Sequence, residues 1–353
     1  MAEVPTRKLA VFLIGSTLFI VFTFYAYQLI YTPNILVDRD DREFLVNQGD
    51  SFRTVQLALG KGGYVNDMVS FSFLARITKY DRTVRPGLYQ LKRNMTNLQA
   101  IEALKAVDQV PVNVTFNNVR LLSELAPKIT KNTSVTPEEF NEALDDFVTG
   151  NQDGFTKETI ISMFIPNTYQ VYYNVSAQGL IDRMYNEYSN FWTAERREKA
   201  KAINMTPIEV STLASIVQAE AWKESEAATI AGLYINRLSK GIPLQADPTL
   251  VFAVGDFTLK RVLNVHKEID SPYNTYLNAG LPPGPINMPT IHSIESVLNA
   301  EKNSYLYMCA REDFSGFHNF ASSLTEHNKN AARYQRALTI EQRKGREAAK
   351  KKK

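Results

Sequence analysis

Cysteine and histidine are scarce in this chain. Cys309 is the only cysteine, and the 353 residues include four histidines. A single cysteine cannot form a disulfide within one chain, and the histidines do not form the HExxH pair of a helical zinc site. The sequence therefore excludes a disulfide framework and a cysteine-based metal site. It gives little support to zinc chemistry and predicts no cofactor.

A large charge of either sign is also missing. Lys and Arg total 40 and Asp and Glu total 37, so the formal net charge is +3. Much of this excess lies in the basic tail at residues 344–353. Nucleic-acid-binding domains normally carry a strongly basic face, so no nucleic-acid partner is predicted. The tail is interpreted as a solvated extension, with contact to an anionic polymer or lipid as the alternative.

A long apolar run is present at the N-terminus. Residues 9–37 carry no formal charge, and residues 9–27 are long enough to span a bilayer as a helix. Three tyrosines lie where an interfacial aromatic belt forms: Tyr25, Tyr27 and Tyr31. A cleaved signal peptide is one alternative, but no small-residue cleavage site follows the run. A buried helix of a soluble protein is the other.

Basic residues set the expected orientation of this helix. Arg7 and Lys8 precede the apolar run and favour a cytoplasmic N-terminus, although Arg39 and Arg42 weaken the bias. The sequence therefore predicts a single-pass protein of the cytoplasmic (inner) membrane with an extracytoplasmic, periplasmic bulk. The predicted boundaries are a cytoplasmic stub at residues 1–8 and a transmembrane helix at residues 9–31.

Local patterns predict an α+β fold for the remainder, in two or three folded units. Strand-like alternation occurs at residues 42–46 and 112–116. Helix starts with matching caps occur at Thr96-Asn-Leu-Gln99, Thr136-Pro-Glu-Glu139 and Thr206-Pro-Ile-Glu209. The predicted segments are a small α+β domain at 38–111, a mixed α+β middle segment at 112–197, a C-terminal α+β domain at 202–338 and the basic tail at 339–353.

Glu220 is the first ionisable residue after an uncharged run at residues 210–219. A helix that is apolar on every side should be buried. A carboxyl delivered by such a helix into an apolar cleft is partly desolvated, which favours its neutral form. That form can donate a proton near neutral pH. Glu220 is therefore a candidate general acid; the alternative is that it only marks where the helix reaches the surface.

The residues after Glu220 have ordinary structural explanations as well. Glu226 begins another helical pattern, where a negative charge stabilises the helix N-terminus. Leu244-Gln-Ala-Asp-Pro-Thr249 is interpreted as a polar loop, since Asp before Pro is common in turns. Ser271-Pro-Tyr-Asn-Thr-Tyr276 and Gly280-Leu-Pro-Pro-Gly-Pro-Ile286 combine aromatic and amide side chains with rigid backbone. They suit a sugar-binding groove, but their spacing alone favours a rigid surface turn.

Several motifs in one order make the chain resemble a known family. The order is Ala214-Ser-Ile-Val-x-x-Glu220, Ile235-Asn-Arg-Leu238, Leu244-Gln-x-Asp-Pro-Thr249, Tyr273-Asn-Thr-Tyr276, Gly280-Leu-Pro-Pro-Gly-x-Ile286, Tyr305-Leu-Tyr307 and His318-x-Phe320 to His327-Asn328. Together they resemble the YceG-like (MltG) family of endolytic murein transglycosylases. Val46-Asn-Gln-Gly-Asp-Ser51 and Arg85-Pro-Gly-Leu-Tyr89 resemble that family's LysM-like domain. Many members carry Glu where this chain has Gln218, so the catalytic assignment falls on Glu220.

The resemblance implies a membrane-anchored lyase that cuts the β-1,4 bond between N-acetylmuramic acid and N-acetylglucosamine in nascent strands and so limits their length. It implies that Glu220 acts as acid and then as base while the muramoyl 6-hydroxyl forms a 1,6-anhydro end. An internal hydroxyl replaces the water and second carboxylate of ordinary glycosidases. Candidate sugar-binding residues are Glu226, Gln245, Asp247, Asn274 and Tyr276. The implied partners are glycan strands, the membrane and penicillin-binding synthases.

Two alternative functions remain open at this stage. A non-catalytic, membrane-tethered scaffold could bind peptidoglycan through the LysM-like segment alone. A lysozyme-like hydrolase could cut the same bond with water and leave reducing ends. The intact Glu220 motif favours an enzyme over the scaffold.

Overall fold

A computed structural model describes residues 6–37, 42–107, 109–117, 119–259 and 261–351. The chain divides into two compact units, and the described residues form a mixed α+β structure. Unit 1 comprises Met1–Val114, Thr130–Thr136 and Tyr169–Ser176. Unit 2 comprises Thr115–Ile129, Pro137–Thr168 and Ala177–Lys353. The predicted middle segment at 112–197 therefore contributes residues to both units.

Unit 1 contains a two-stranded antiparallel sheet with helices inserted between its strands. Its elements in chain order are α1 (Thr6–Tyr31), β1 (Arg42–Val46), α2 (Phe52–Lys61), α3 (Met68–Ile77), β2 (Gly87–Leu91) and α4 (Asn97–Lys105). Phe44 pairs with Tyr89 across the sheet, and both side chains are buried in the unit's core. The predicted capping box at Thr96 and Gln99 is confirmed, because each side chain accepts the other's backbone N–H.

Helix α1 is long and apolar enough to cross a membrane, and its apolar stretch is not buried within the protein. Its C-terminal end joins unit 1 without a linker, because Leu29 is buried in the core of that unit. Just beyond the helix, Asn34 donates to Asn97 Oδ1 at 2.6 Å and accepts the Asp67 N–H at 2.7 Å. These buried bonds fix the segment that leaves the helix.

The remaining elements extend from the second sheet to the C-terminus. They are β3 (Val112–Phe116), α5 (Leu125–Thr130), α6 (Pro137–Gly150), β4 (Asn167–Val171), α7 (Ala177–Phe191), α8 (Ala194–Ala202), α9 (Pro207–Glu220), α10 (Ala227–Ser239), α11 (Asp247–Val254), α12 (Ile291–Leu298), β5 (Tyr307–Ala310), β6 (His318–Ala321) and α13 (Leu324–Lys351). Strand β3 pairs with β4, and β5 pairs antiparallel with β6.

Helix α9 is the central element of unit 2. Residues 210–217 are all buried, and the helix packs against α10, α11 and α12. Thr206 and Glu209 form the predicted capping box, with the Thr206 N–H donating to Glu209 at 2.7 Å. The helix ends at Glu220, where the next N–H, from Ala221, still bonds to Val217 O at 2.8 Å. The prediction of a buried helix that delivers Glu220 is confirmed.

Two local predictions differ from the structure. The loop predicted at residues 244–249 ends early, because α11 already begins at Asp247. Pro248 is tolerated there since the first turn of a helix needs no intrahelical N–H bond. The tail predicted as a separate segment continues α13 without a break. Its Ala, Glu, Lys and Arg residues are good helix formers, and the spaced pair Arg343–Glu347 adds support.

Gly232 provides a test of packing within unit 2. A Cβ added at this position on α10 would lie 2.2 Å from the backbone oxygen of Glu301. We expect Gly232→Ala to lower the free energy of unfolding by about 2 kcal/mol, despite the gain of about 1 kcal/mol in helix propensity. Gly150→Ala is the matched control, because nothing lies within 4 Å of a Cβ there. Equal denaturation midpoints for the two variants would contradict the packing.

Candidate active site

Glu220 lies where two cavities of unit 2 meet. Of these two, the larger has a volume of about 580 Å³ and is called the large cavity, and the other has about 340 Å³ and is called the small cavity. Glu220 and Asp247 line both. Trp222, Phe257 and Asn287 are among the other residues of the large cavity, and Tyr234, Gln245, Tyr276, Tyr307 and His318 are among those of the small cavity. A further cavity of about 1000 Å³ is lined, in the described part of the chain, by none of the predicted site residues.

The Glu220 carboxyl has a pKa close to neutral pH. Burial, followed by the nearby Asp247 carboxylate, raises the pKa of Glu220 from 4.5 to about 7. Hydrogen bonds from the Tyr234 hydroxyl and the Asp247 N–H favour the carboxylate and limit the rise. Because Asp247 begins α11, that N–H belongs to a helix N-terminus, which stabilises negative charge. Glu220 can therefore donate a proton near neutral pH and, once ionised, accept one.

The same pKa predicts how stability depends on pH. The folded state holds the Glu220 proton more tightly than the unfolded state, so ionising Glu220 costs folding free energy. The more tightly held proton stabilises the folded state fully below pH 4.5, and this stabilisation is lost as pH rises to about 7. The loss in unfolding free energy is roughly 3 kcal/mol at most. We expect the unfolding midpoint of wild type to fall relative to that of Glu220→Gln across this window. A difference that is constant between pH 4 and pH 8 would contradict it.

Arg237 holds in place the loop that carries Gln245 and leads to Asp247. Its buried guanidinium donates from Nη1 to Leu244 O at 2.7 Å and from Nη2 to Gln245 Oε1 at 3.0 Å. Gln245 has φ of +53°, a left-handed conformation that costs energy in a residue with a side chain. Its N–H donates to Thr275 O at 3.0 Å. The loop before α11 is thus fixed in one conformation with the Gln245 side chain at the small cavity.

Asp247 and Tyr276 form a direct pair beside Glu220. The Tyr276 hydroxyl donates to Asp247 Oδ1 at 2.6 Å. Burial, followed by this bond, raises the pKa of the Tyr276 hydroxyl, so it stays protonated. The structure therefore brings together four of the six residues predicted from the sequence: Glu220, Gln245, Asp247 and Tyr276.

The other two predicted residues hold their neighbours in place. Asn274 is fully buried; its amide donates to Lys267 O and Ile269 O, and its Oδ1 accepts the Tyr276 N–H at 3.0 Å. Glu226 is buried and accepts the backbone N–H of His318 at 3.0 Å. As far as the described residues define them, the cavity linings include neither side chain. This geometry favours positioning roles, Asn274 for Tyr276 and Glu226 for His318.

Sequence reasoning missed several residues of the site. Tyr234 and Arg237 lie three positions apart on α10, and their signal was a cation and a hydroxyl within an apolar helical pattern. Trp222 lies two positions after Glu220 but gave no local signal, whereas Asn287 and His318 reach the cavities from distant segments of the sequence. The Gln218 side chain accepts the Thr290 N–H at 2.6 Å at the start of α12.

Three buried polar atoms at this site have no hydrogen-bond partner among the described residues. Among the described residues, the buried atoms without a hydrogen-bond partner include Arg237 Nε, Asn287 Oδ1 and His327 Nδ1. Each of these three side chains lines one of the two cavities. Buried polar atoms in native proteins are nearly always paired with protein or water. These three atoms are available to bind a polar ligand.

Fold and site together define a class: a mixed α+β protein in which a buried helix brings a carboxyl with a raised pKa to the junction of two polar cavities. Comparison with known proteins makes the class specific. The sequence profile of the YceG-like family matches residues 44–333. The chain belongs to the YceG-like family.

Individual relatives agree with this assignment. The chain is similar to an endolytic murein transglycosylase of Streptococcus pneumoniae serotype 2 (strain D39), with 25% identity over 88% of this chain and 62% of the relative. It therefore spans less than two thirds of that relative's length. A Bacillus subtilis (strain 168) endolytic murein transglycosylase is 29% identical over 82% of this chain and 83% of the relative. A crystal structure of a YceG-like protein from Listeria monocytogenes has 26% identity and a TM-score of 0.53, covering 82% of this chain and 98% of that one.

Proposed function

We propose that the protein is a membrane-anchored endolytic lytic transglycosylase. Its substrate would be the β-1,4 bond between N-acetylmuramic acid and N-acetylglucosamine within nascent peptidoglycan strands, and its cuts would limit strand length. The observation that carries the proposal is Glu220, a carboxyl with a pKa of about 7 where two cavities meet. The names of the pneumococcal and Bacillus relatives supply the substrate class.

A single carboxyl is sufficient for this reaction. Neutral Glu220 would protonate the glycosidic oxygen as the bond to the muramoyl C1 breaks. The resulting carboxylate would take the proton of the muramoyl 6-hydroxyl while that oxygen bonds to C1. The proton count balances, and the product is a 1,6-anhydro end formed without water. Proximity of the internal hydroxyl replaces an activated water molecule.

The neighbouring groups would position the sugar and stabilise charge. The Asp247 carboxylate lies near enough to raise the pKa of Glu220, so it can also stabilise the positive charge that develops at C1. Gln245 and Tyr276 would contact sugar hydroxyl or acetamido groups in the small cavity. Glu226 and Asn274 would act indirectly, through His318 and Tyr276.

Unit 1 supports the proposed location at the cytoplasmic membrane. Helix α1 would be the anchor, with the rest of the chain on the extracytoplasmic, periplasmic side. Helix α3 packs against α1 and exposes apolar side chains at four-residue spacing: Val69, Phe73 and Ile77. Such a stripe suits contact with the lipid interface beside the anchor. Synthases of the penicillin-binding class would meet the enzyme there, on newly made strands.

The proposed domains follow from the same features. We assign a LysM-like glycan-binding domain to residues 38–111, supported by the strand–helix–helix–strand order of β1, α2, α3 and β2. The catalytic domain is assigned to residues 202–338. Within unit 2, this region receives further cavity-lining residues from before its start, including Arg120.

The test is digestion of purified glycan strands by the full chain in nanodiscs, in water labelled with heavy oxygen. We expect anhydro ends that carry no label, and cuts within strands. Reducing ends carrying the label would replace the transglycosylase assignment with a lysozyme-like hydrolase. Strand binding without any cut would favour the scaffold function.

A further inference from the structure

Trp222 is exposed in a way that tryptophan rarely is in a folded protein. The chain has two tryptophans; Trp192 is 1% exposed, whereas Trp222 is 84% exposed. Tryptophan carries a large apolar ring that normally packs in a core or an interface. A large exposed apolar side chain beside a cleft therefore indicates a binding surface.

The position of Trp222 is tied to that of Glu220. Both residues line the large cavity. The Trp222 N–H donates to Glu220 O at 3.0 Å, so the tryptophan backbone is fixed at the end of α9. Its ring lies against Gly316, where an added Cβ would come within 3.2 Å of the indole Cε3. The indole is thus supported by protein at Gly316 and open to solvent elsewhere.

Polar groups line the same large cavity as Trp222. Asn287 donates from its Nδ2 to Ser215 O at 2.9 Å, and its Oδ1 is a buried acceptor without a partner among the described residues. The Arg120 guanidinium lies over the Phe257 ring at 4.4 Å. An exposed aromatic ring and an unpaired acceptor in the lining of one cavity match an N-acetylated pyranose. Such a sugar has an apolar C–H face for the indole and an acetamido N–H for the acceptor.

We propose that Trp222 forms a stacking platform for an N-acetylhexosamine ring of the strand, in a subsite of the large cavity adjacent to the bond at Glu220. This inference rests on the proposed function, because it takes the glycan strand as the ligand. Trp222 acts by holding the strand and takes no part in proton transfer. Its removal therefore affects the Michaelis constant more than the turnover number.

The two tryptophans allow this platform to be observed directly. Full-length Glu220→Gln in nanodiscs is titrated with purified uncleaved glycan strands, and binding is followed in parallel by calorimetry. Bound strand should shift Trp222 emission to shorter wavelength and lower its quenching by acrylamide at least twofold. The double variant Glu220→Gln, Trp222→Phe retains only the buried Trp192 and should show neither change.

Steady-state kinetics of enzymes that retain Glu220 provide a second test of the platform. We expect Trp222→Ala to raise KM about tenfold with kcat changed less than threefold, and Trp222→Tyr to restore most of the loss. Phe314→Ala is the matched control, since Phe314 is exposed but is not among the described residues that line either cavity. It should leave KM unchanged.

The outcomes separate the platform from the proposed function. Calorimetric binding without any change in Trp222 fluorescence, or a Trp222→Ala enzyme with unchanged KM, would overturn the platform and leave the function standing. Absence of strand binding together with absence of cleavage by wild type would overturn both.

Discussion

Glu220→Gln is expected to lower strand cleavage by about 10³-fold or more. Glutamine matches the size of glutamate, but its amide neither donates a proton to the glycosidic oxygen nor accepts one from the 6-hydroxyl. The same substitution removes the energetic cost of ionising a partly buried group whose pKa is about 7. The variant should therefore be inactive and, at pH 8, at least as stable as wild type. Loss of activity would then be chemical and not a consequence of unfolding.

A matched control distinguishes the site from general effects of charge. Glu224 is exposed and lies four positions after Glu220 in the sequence. Glu224→Gln makes the same chemical change without touching the cavities and should retain wild-type activity. Release of anhydro ends by a fixed amount of enzyme is the measurement for both variants. More than a tenth of wild-type activity in Glu220→Gln would remove Glu220 from the mechanism.

Arg237→Leu is expected to have the second largest effect, on stability and activity together. The guanidinium is buried and binds Leu244 O and Gln245 Oε1 at 2.7 and 3.0 Å. Hydrogen bonds to a charged group contribute about 1.5–3 kcal/mol each, and a buried carbonyl left unpaired adds a penalty. We expect a loss of about 3 kcal/mol in unfolding free energy. Activity should fall as well, because Gln245 and Asp247 lose their support.

Arg237→Lys is the control for this prediction. Lysine keeps the charge but cannot donate to two acceptors in the planar fork of arginine. It should give an intermediate denaturation midpoint and partial activity. An Arg237→Leu protein with the wild-type midpoint would show that the guanidinium does not hold the loop.

Local sequence patterns predicted those elements whose cause is local. The Thr206 cap and the uncharged residues 210–219 were enough to place α9 and its terminal carboxyl. Residues 244–249 were assigned to a loop because Asp-Pro is common in turns, whereas the same pair also suits a first helical turn. The pattern is ambiguous, and packing of α11 against α9 decides it.

The site was predictable only in part, because most of it is assembled over long sequence distances. Gln245, Asp247 and Tyr276 became site candidates through the order of motifs, because their own segments are also explained by ordinary turns. Trp222 stands beside Glu220 in the sequence, yet only the structure shows that its ring remains exposed. The sequence around Asn287 indicates an ordinary loop residue, and only the structure shows its buried, unpaired oxygen.

The central claim is that the protein raises the pKa of Glu220 to about 7, so that a substantial share of the neutral acid is present near physiological pH. Carbon-13 labelling of glutamate side chains, with NMR titration of wild type and Glu220→Gln, isolates this carboxyl as the difference between the two spectra. We expect one carboxyl in wild type to titrate near pH 7, and that signal to be missing in the variant. A Glu220 carboxyl that titrates near pH 4.5, its ordinary value, would contradict the claim.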